Sequence, residues 1–449
     1  MPGSPEWENS NMRRAPFFVL VLVALVAAAC GSDGTGQVVD NVEYVSTTST
    51  VPPSTTTTEA SPTTTAPPTT TAPPTTTAPP ETEAPAGSLK WRPCGDGREC
   101  STLEVPMVHD DPSQGSIRIA LNRQPAWPDG RIGVLLVNPG GPGGSGVELV
   151  AEMGFIFQQV LPGFDVVGFD PRGVGGSTPV SCLDDLDDLV FVLEDGEDPT
   201  EMFELEDAYS AACLENSGDL ALHVGTNNVA RDMDLIREAL GEEQISFLGY
   251  SYGSRIGAVY AALFPDRVRA MVLDGPVDPE DHISSASSIQ GDGFEAAWSR
   301  FAAWCDTDPS CGLDALGGAE AAFSAADALL AEGGLPVGDR VLMRGEFQMG
   351  VAMALYSPYT WEALAQGFTE VLVAGEGEIF QELSDMMVGR REDGTYDTSM
   401  AVGFLVNCGD DPLRPGQESF FEAIDAVADT FEHFGPSFRA MGGCGALPE

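Results

Sequence analysis

The sequence predicts an α/β protein built on a doubly wound, mostly parallel sheet with a helical cap inserted after one strand. Three observations predict it. Short apolar runs alternate with amphipathic helical stretches, a Gly-x-Ser-x-Gly turn sits between one such run and a helix, and a long helical stretch follows a later strand. Strands that alternate with helices can bury both faces of a sheet, which is the condition for parallel pairing.

The first strands are of two kinds. Ser101 to His109 and Ser116 to Asn122 alternate apolar and polar residues, as strands with one solvated face do. Ile132 to Val137 and Phe164 to Phe169 are continuous apolar runs, as in strands covered on both faces. Val229, Met233, Ile236 and Leu240 then recur every three or four residues on one helical face, and Gly241 stops that helix. Ile245 to Leu248 leads into a Gly-rich turn, a helix with small residues Gly257, Ala258 and Ala261, and a strand from Val268 to Leu273. From Pro276 to about Met400 the pattern is helical, with Trp298, Trp304 and Trp361 and little β-branched clustering. Because this insertion begins at the C-terminal end of a strand, where such sheets hold ligands, it is expected to cap the active site.

The chemistry centres on Gly249-Tyr250-Ser251-Tyr252-Gly253. A serine on a sharp strand-to-helix turn presents its hydroxyl as a nucleophile, and the flanking glycines are needed because a Cβ at either position would clash. The backbone N–H of Tyr252 can donate to an oxyanion, and a second donor is expected from the loop after an earlier strand. Asn138 to Gly146 (NPGGPGGSG) is that loop, with Gly141 as the expected donor. No Gly-Lys-Ser/Thr follows these glycines, so they do not cradle a phosphate. No cofactor is expected. A metal is not expected either, since there is no CxxC pair and only four histidines are present.

Asn138 to Gly146, Asp165 to Gly173, Thr226 to Gly241, the serine turn and Leu273-Asp274-Gly275-Pro276 together resemble the actinobacterial tripeptidyl aminopeptidase-like serine peptidases. These are α/β-hydrolases related to prolyl aminopeptidases, whose oxyanion loop reads His-Gly-Gly-Pro-Gly; Gly140 to Gly143 match its last four positions. The resemblance runs from Trp91 to the last residue. It implies hydrolysis of peptides from a free N-terminus through an acyl-enzyme. It also implies that Asp410, in Cys408-Gly409-Asp410, holds the substrate ammonium, and that Asp274 is structural. The family places its triad acid and histidine beyond a Cys-x-x-Trp-Pro segment, which Cys444 to Pro448 resembles with Leu447 in place of Trp. The acid, the base and the last core strands are therefore expected to be missing from these 449 residues.

Only His282 and His433 follow Ser251. Phe420, Ile424, Val427, Phe431 and Phe434 form an apolar helical stripe, which puts His433 on a solvated helix face. Asp184, Asp185, Asp187 and Asp188 read as a solvated helix face rather than a cation site.

The N-terminus reads as an address. Arg13 and Arg14 precede an apolar run from Ala15 to Ala29, too short to span a membrane comfortably and suited to a signal peptide. Ala27-Ala28-Ala29-Cys30 resembles a lipoprotein cleavage site, with Cys30 as the lipidated residue. A Thr/Pro-rich stretch follows, including three TTTAPP units from Thr63 to Pro80. In polyproline geometry, at about 3.1 Å per residue, it reaches on the order of 130 Å. The expected organisation is a signal peptide over 1–29, a lipid-anchored linker over 30–88, the core over 89–275, the cap over 276–405, and an incomplete C-terminal segment over 406–449.

Acidic residues number 69 and basic ones 21, giving a net charge of -48. That balance excludes nucleic acid as a partner, since phosphates need a Lys/Arg stripe. Nine cysteines less Cys30 leave an even set in a compartment where disulfides persist. Sequence neighbours point to Cys94 with Cys100, Cys182 with Cys213, Cys305 with Cys311 and Cys408 with Cys444, although sequence alone does not fix the pairing. Three functions stay open: a serine peptidase acting on peptides at the outer face of a membrane, an esterase on other acyl substrates, and an inactive lipoprotein that only binds.

Overall fold

A computed structural model describes residues 89–128, 130–183, 199–281, 283–411 and 430–435, with Ala426, Cys444 and Leu447. Cys30, the linker, His282, the Asp184 to Asp188 run, Phe420, Ile424 and Val427 lie outside the described residues.

Seven strands form one sheet: β1 Arg92–Gly95, β2 Arg98–Pro106, β3 Ser116–Gln124, β4 Gly133–Asn138, β5 Phe164–Phe169, β6 Ile245–Tyr250 and β7 Val268–Asp274. Their order is β1-β2-β3-β5-β4-β6-β7. β5, β4, β6 and β7 run parallel, and an antiparallel meander of β1, β2 and β3 extends the β5 side. The four core helices are α1 Gly146–Val160, α2 Pro199–Ser217, α3 Thr226–Leu240 and α4 Tyr252–Leu263.

β4 shows why the apolar runs are continuous. Successive side chains point to opposite faces, and all six residues of β4 are buried. Val134 and Leu136 join a core with Met233 and Ile236 of α3 and Ile256 and Tyr260 of α4. Leu135 and Val137 instead meet Leu149, Val150, Met153 and Phe157 of α1. One strand thus serves two cores.

The cap holds α5 Ile283–Cys305, α6 Ala319–Leu330, α7 Arg344–Leu355, α8 Trp361–Thr369 and α9 Glu378–Val388. Trp298, Phe301, Phe323, Phe347, Phe368 and Phe380 form its own core. It is not wholly helical, because β8 Leu335–Val337 and β9 Arg340–Leu342 make a hairpin. Three-residue strands are too short to carry a readable period of two, and this hairpin is tied down by Arg340, which donates to Asp385 and Glu346. After the cap, α10 Ser399–Asp410 returns to the sheet, where Ala401, Val402, Leu405 and Val406 enter the first core. Residue 405, the expected end of the cap, falls inside that helix.

Arg172 is fully buried and donates from Nε and Nη2 to the two oxygens of Asp232 at 2.7 and 2.8 Å. Its Nη1 reaches the carbonyls of Met107 and His223 at 2.9 and 2.8 Å, so the end of β2, the loop before α3 and α3 itself share one cation. The four disulfides join the neighbouring cysteines: Cys94 with Cys100, Cys182 with Cys213, Cys305 with Cys311 and Cys408 with Cys444.

The placement of His433 needs correction. It is 8% exposed, not solvated. The chain bends at 432–434 instead of continuing a helix, so His433 and Phe434 both turn into the cap core. Its Nδ1 lies 2.7 Å from Glu295 Oε2 and its Nε2 2.9 Å from Glu320 Oε2, with the Trp298 and Phe323 rings each 5.0 Å away. Burial opposes the charged ring, but the hydrogen bonds to Glu295 and Glu320 outweigh it and raise the pKa above the usual histidine value. A raised folded pKa gives stability that is fully present below the unfolded value and is lost as pH rises through the folded one. His433→Gln is therefore expected to cost about 1 to 2 kcal/mol at pH near 6 and progressively less above that folded pKa. Thermal melts of both proteins across that range check this; an unchanged or pH-independent difference contradicts it.

Candidate active site

Ser251 is the single residue between β6 and α4, at φ 52° and ψ −125°. Non-glycine residues rarely adopt this left-handed backbone, and the surroundings have to hold it. Ser251 N–H donates to the Asp274 carbonyl at the end of β7 at 2.8 Å, and the Ser251 carbonyl accepts from Ser254 N–H at 2.8 Å. The Asp274 backbone thus supports the turn. The motif glycines are required for space: a Cβ on Gly249 would lie 2.3 Å from the Gly253 oxygen, and one on Gly253 would lie 2.8 Å from the Asn138 oxygen. Ser251 is exposed, and its hydroxyl has no hydrogen-bond partner among the described residues.

The Gly-rich loop leaves β4 at Asn138 and runs directly against this turn. A Cβ on Gly140, whose φ is +93°, would sit 2.4 Å from the Tyr250 oxygen, 3.0 Å from Tyr252 N and 3.1 Å from Ser251 Cβ. Asn138 is fully buried and its Oδ1 accepts the Gly140 N–H at 2.9 Å. The next N–H along the exposed tip is that of Gly141. Tyr252, the first residue of α4, has an N–H with no acceptor inside its helix. Sequence reasoning picks out the loop but not its far support, Asp170. That carboxylate accepts from Ser145 Oγ at 2.5 Å, Val147 N at 3.1 Å and Gly176 N at 2.8 Å, tying the loop and the start of α1 to the end of β5.

Beneath the turn lies a buried polar chain. Thr226 donates its hydroxyl to Asp410 Oδ2 and its backbone N–H to Asp410 Oδ1 at 2.9 Å. With the Thr226 proton so committed, the Tyr252 hydroxyl, 2.5 Å away, donates to Thr226 Oγ1. Burial raises the Asp410 pKa against the hydrogen bonds from Thr226 and the charge of Arg255, and burial also raises that of Tyr252. Asp410 lies at the N-terminus of α3, where Gly225 supplies no side-chain cap, and an anion there is favoured by the helix dipole. Both its oxygens have partners within the protein.

No histidine among the described residues is hydrogen-bonded to Ser251. His109 Nε2 lies 2.9 Å from the accepting Asp232 Oδ1, His433 is held in the cap, and His282 lies outside the described residues. No group of three His, Cys, Asp or Glu side chains among the described residues is placed to hold a metal, and no described helix is long and apolar enough to cross a membrane.

A strained serine at the C-terminal end of a central strand, flanked by glycines and faced by a Gly-rich loop, defines a serine hydrolase of the α/β-hydrolase class. A family model of the α/β-hydrolase fold matches residues 133–315. The serine protease Hip1 of Mycobacterium tuberculosis is 38% identical over 353 residues, 72% of this chain and 67% of that protein. The tripeptidyl aminopeptidase of Streptomyces lividans is 40% identical over 221 residues, 46% of this chain and 41% of that protein. Carboxylesterase B of Mycobacterium tuberculosis is 35% identical over 337 residues, 73% of this chain and 64% of that protein. The chain belongs to the tripeptidyl aminopeptidase-like serine peptidases of the α/β-hydrolase fold.

The close approach of Gly140 makes a sharp prediction. Gly140→Ala should slow covalent phosphonylation of the protein by a fluorophosphonate by about a hundredfold, because the displaced loop loses an oxyanion donor. Gly293→Ala, where nothing lies within 4 Å, should leave the rate unchanged. Equal rates in the two variants would remove the loop from the site.

Proposed function

We propose that this protein is an exported, lipid-anchored peptidase that releases short peptides from free N-termini through an acyl-enzyme on Ser251. The observation that carries the reading is the exposed Ser251 hydroxyl on its left-handed turn, directly beside the backbone of Gly140 and Tyr252. In this reading Ser251 Oγ attacks the scissile carbonyl carbon and its proton passes to a base. The N–H groups of Gly141 and Tyr252 then hold the oxyanion, and collapse of the tetrahedral species expels the amine with a proton. Water repeats the sequence to release the acyl group. The buried Tyr252-Thr226-Asp410 chain fixes the start of α4 and so keeps the Tyr252 N–H in place.

The names of two relatives, a serine protease and a tripeptidyl aminopeptidase, support a peptide substrate. A third, named carboxylesterase B, favours an ester as the second reading. Export and anchoring are supported by the apolar run ending at Cys30 and by the four disulfides, which persist in oxidising compartments.

One preparation, made in a bacterium that processes lipoproteins, tests the whole reading. Turnover of a tripeptidyl amide with a free amine should exceed that of its N-acetylated form by about a hundredfold, and a fatty-acid label should attach to the protein but not to Cys30→Ser. Faster turnover of a simple acyl ester, with no response to the amine, would give the esterase reading instead.

A further inference from the structure

On the cap, lined by none of the residues described around Ser251, a cleft of about 350 Å³ opens between the end of α5 and the start of α8. Its walls are Trp304, Trp361 and Tyr359, and two carboxylates, Asp308 and Glu362, share the same lining. We infer that this cleft is a binding site for an organic cation, an alkylated ammonium or a guanidinium.

The aromatic walls are held from behind. Trp304 and Trp361 lie 5.7 Å apart at 49°, and both rest on Phe301 of the cap core, at 5.9 and 6.0 Å. Tyr359 is 61% exposed. The acidic side is equally preset. Cys305 and Cys311 close the short loop that carries Asp308, and the Asp308 N–H donates to the Trp304 carbonyl at 2.8 Å. One carboxylate oxygen of Asp308 accepts from Ser310 N and Oγ at 2.9 and 2.8 Å. Those Ser310 bonds lower its pKa below the ordinary carboxylate value. Neither Asp308 nor Glu362 has an ion-pair partner among the described residues, and the cleft lining contains no Lys or Arg.

Aromatic faces attract a cation through the negative face of the ring, most strongly for Trp. Two unpaired carboxylates add a charge that a neutral ligand would not use. In a chain of net charge -48, a cleft that combines aromatic faces with two carboxylates favours a cation over an anion and over a neutral ring by charge complementarity. The guanidinium of a peptide side chain and the quaternary ammonium of a headgroup share this chemistry.

Isothermal titration of the whole chain separates them. Choline represents the headgroup, N-acetyl-arginine amide the peptide side chain, and 3,3-dimethylbutanol the uncharged isostere of choline. The cations should bind saturably and the isostere should not; the tighter cation names the source. Tyr359→Ala should weaken binding by about five- to tenfold, and Asp308→Asn with Glu362→Gln should narrow the preference for the cation over the isostere. If a variant fails to fold, the comparison of cation with isostere on the parent still decides. Equal binding of the isostere or of a neutral disaccharide, no saturable binding, or unaltered binding by the folded variants would overturn the inference.

Discussion

Everything at the active site depends on how closely the backbone of Gly140 approaches the turn at Ser251. No side-chain atom fits between them, since even a Cβ on Gly140 would fall 2.4 Å from the Tyr250 oxygen. The approach follows from strand order. β4 and β6 are parallel neighbours with Asn138 beside Gly249, and β6 pairs with β7 so that Tyr250 lies beside Asp274. Three adjacent strands therefore release their chains at one end of the sheet. There the loop after β4, the serine after β6 and the carbonyl ending β7 meet, at the edge where open α/β sheets bind ligands.

The turn is costly to hold, and the surrounding polar groups show what holds it. Asn138, Asp170 and Thr226 are buried and Asp410 is half-buried, and each has an oxygen bonded to a backbone N–H or to another of the set. Hydrogen bonds made in a low-dielectric interior are stronger than in water, so these bonds hold the backbone around the turn. Asp410 comes from α10, which follows the whole cap in sequence. The cap is thus bound to the core not only at its start, after β7, but through the floor of the active site, and Cys408 ties the same helix to Cys444.

The parts of this arrangement that were legible in the sequence are those with local physical signatures. β4 and β5 read as unbroken apolar runs because both faces are covered, and α3 reads from its stripe because one face is. The serine turn is legible because its glycines are required by contacts within and beside the motif itself. Residues whose role depends on distant partners were not legible. The spacing around His433 predicts a continuing apolar helix, yet a bend turns it between Glu295 and Glu320, 138 and 113 residues away in the chain. Asp410 resembles a family element, but its partner Thr226 is 184 residues distant and no local pattern announces the pair. The β8–β9 hairpin is too short for its period to register.

The turn at Ser251 leads us to propose Ser251, and no other side chain, as the nucleophile. The most direct test is to treat the protein with a fluorophosphonate, digest it and locate the adduct by mass spectrometry. A single adduct is expected, on the peptide carrying Ser251, and none in Ser251→Ala. An adduct on another residue, or one that persists in Ser251→Ala, would contradict the assignment.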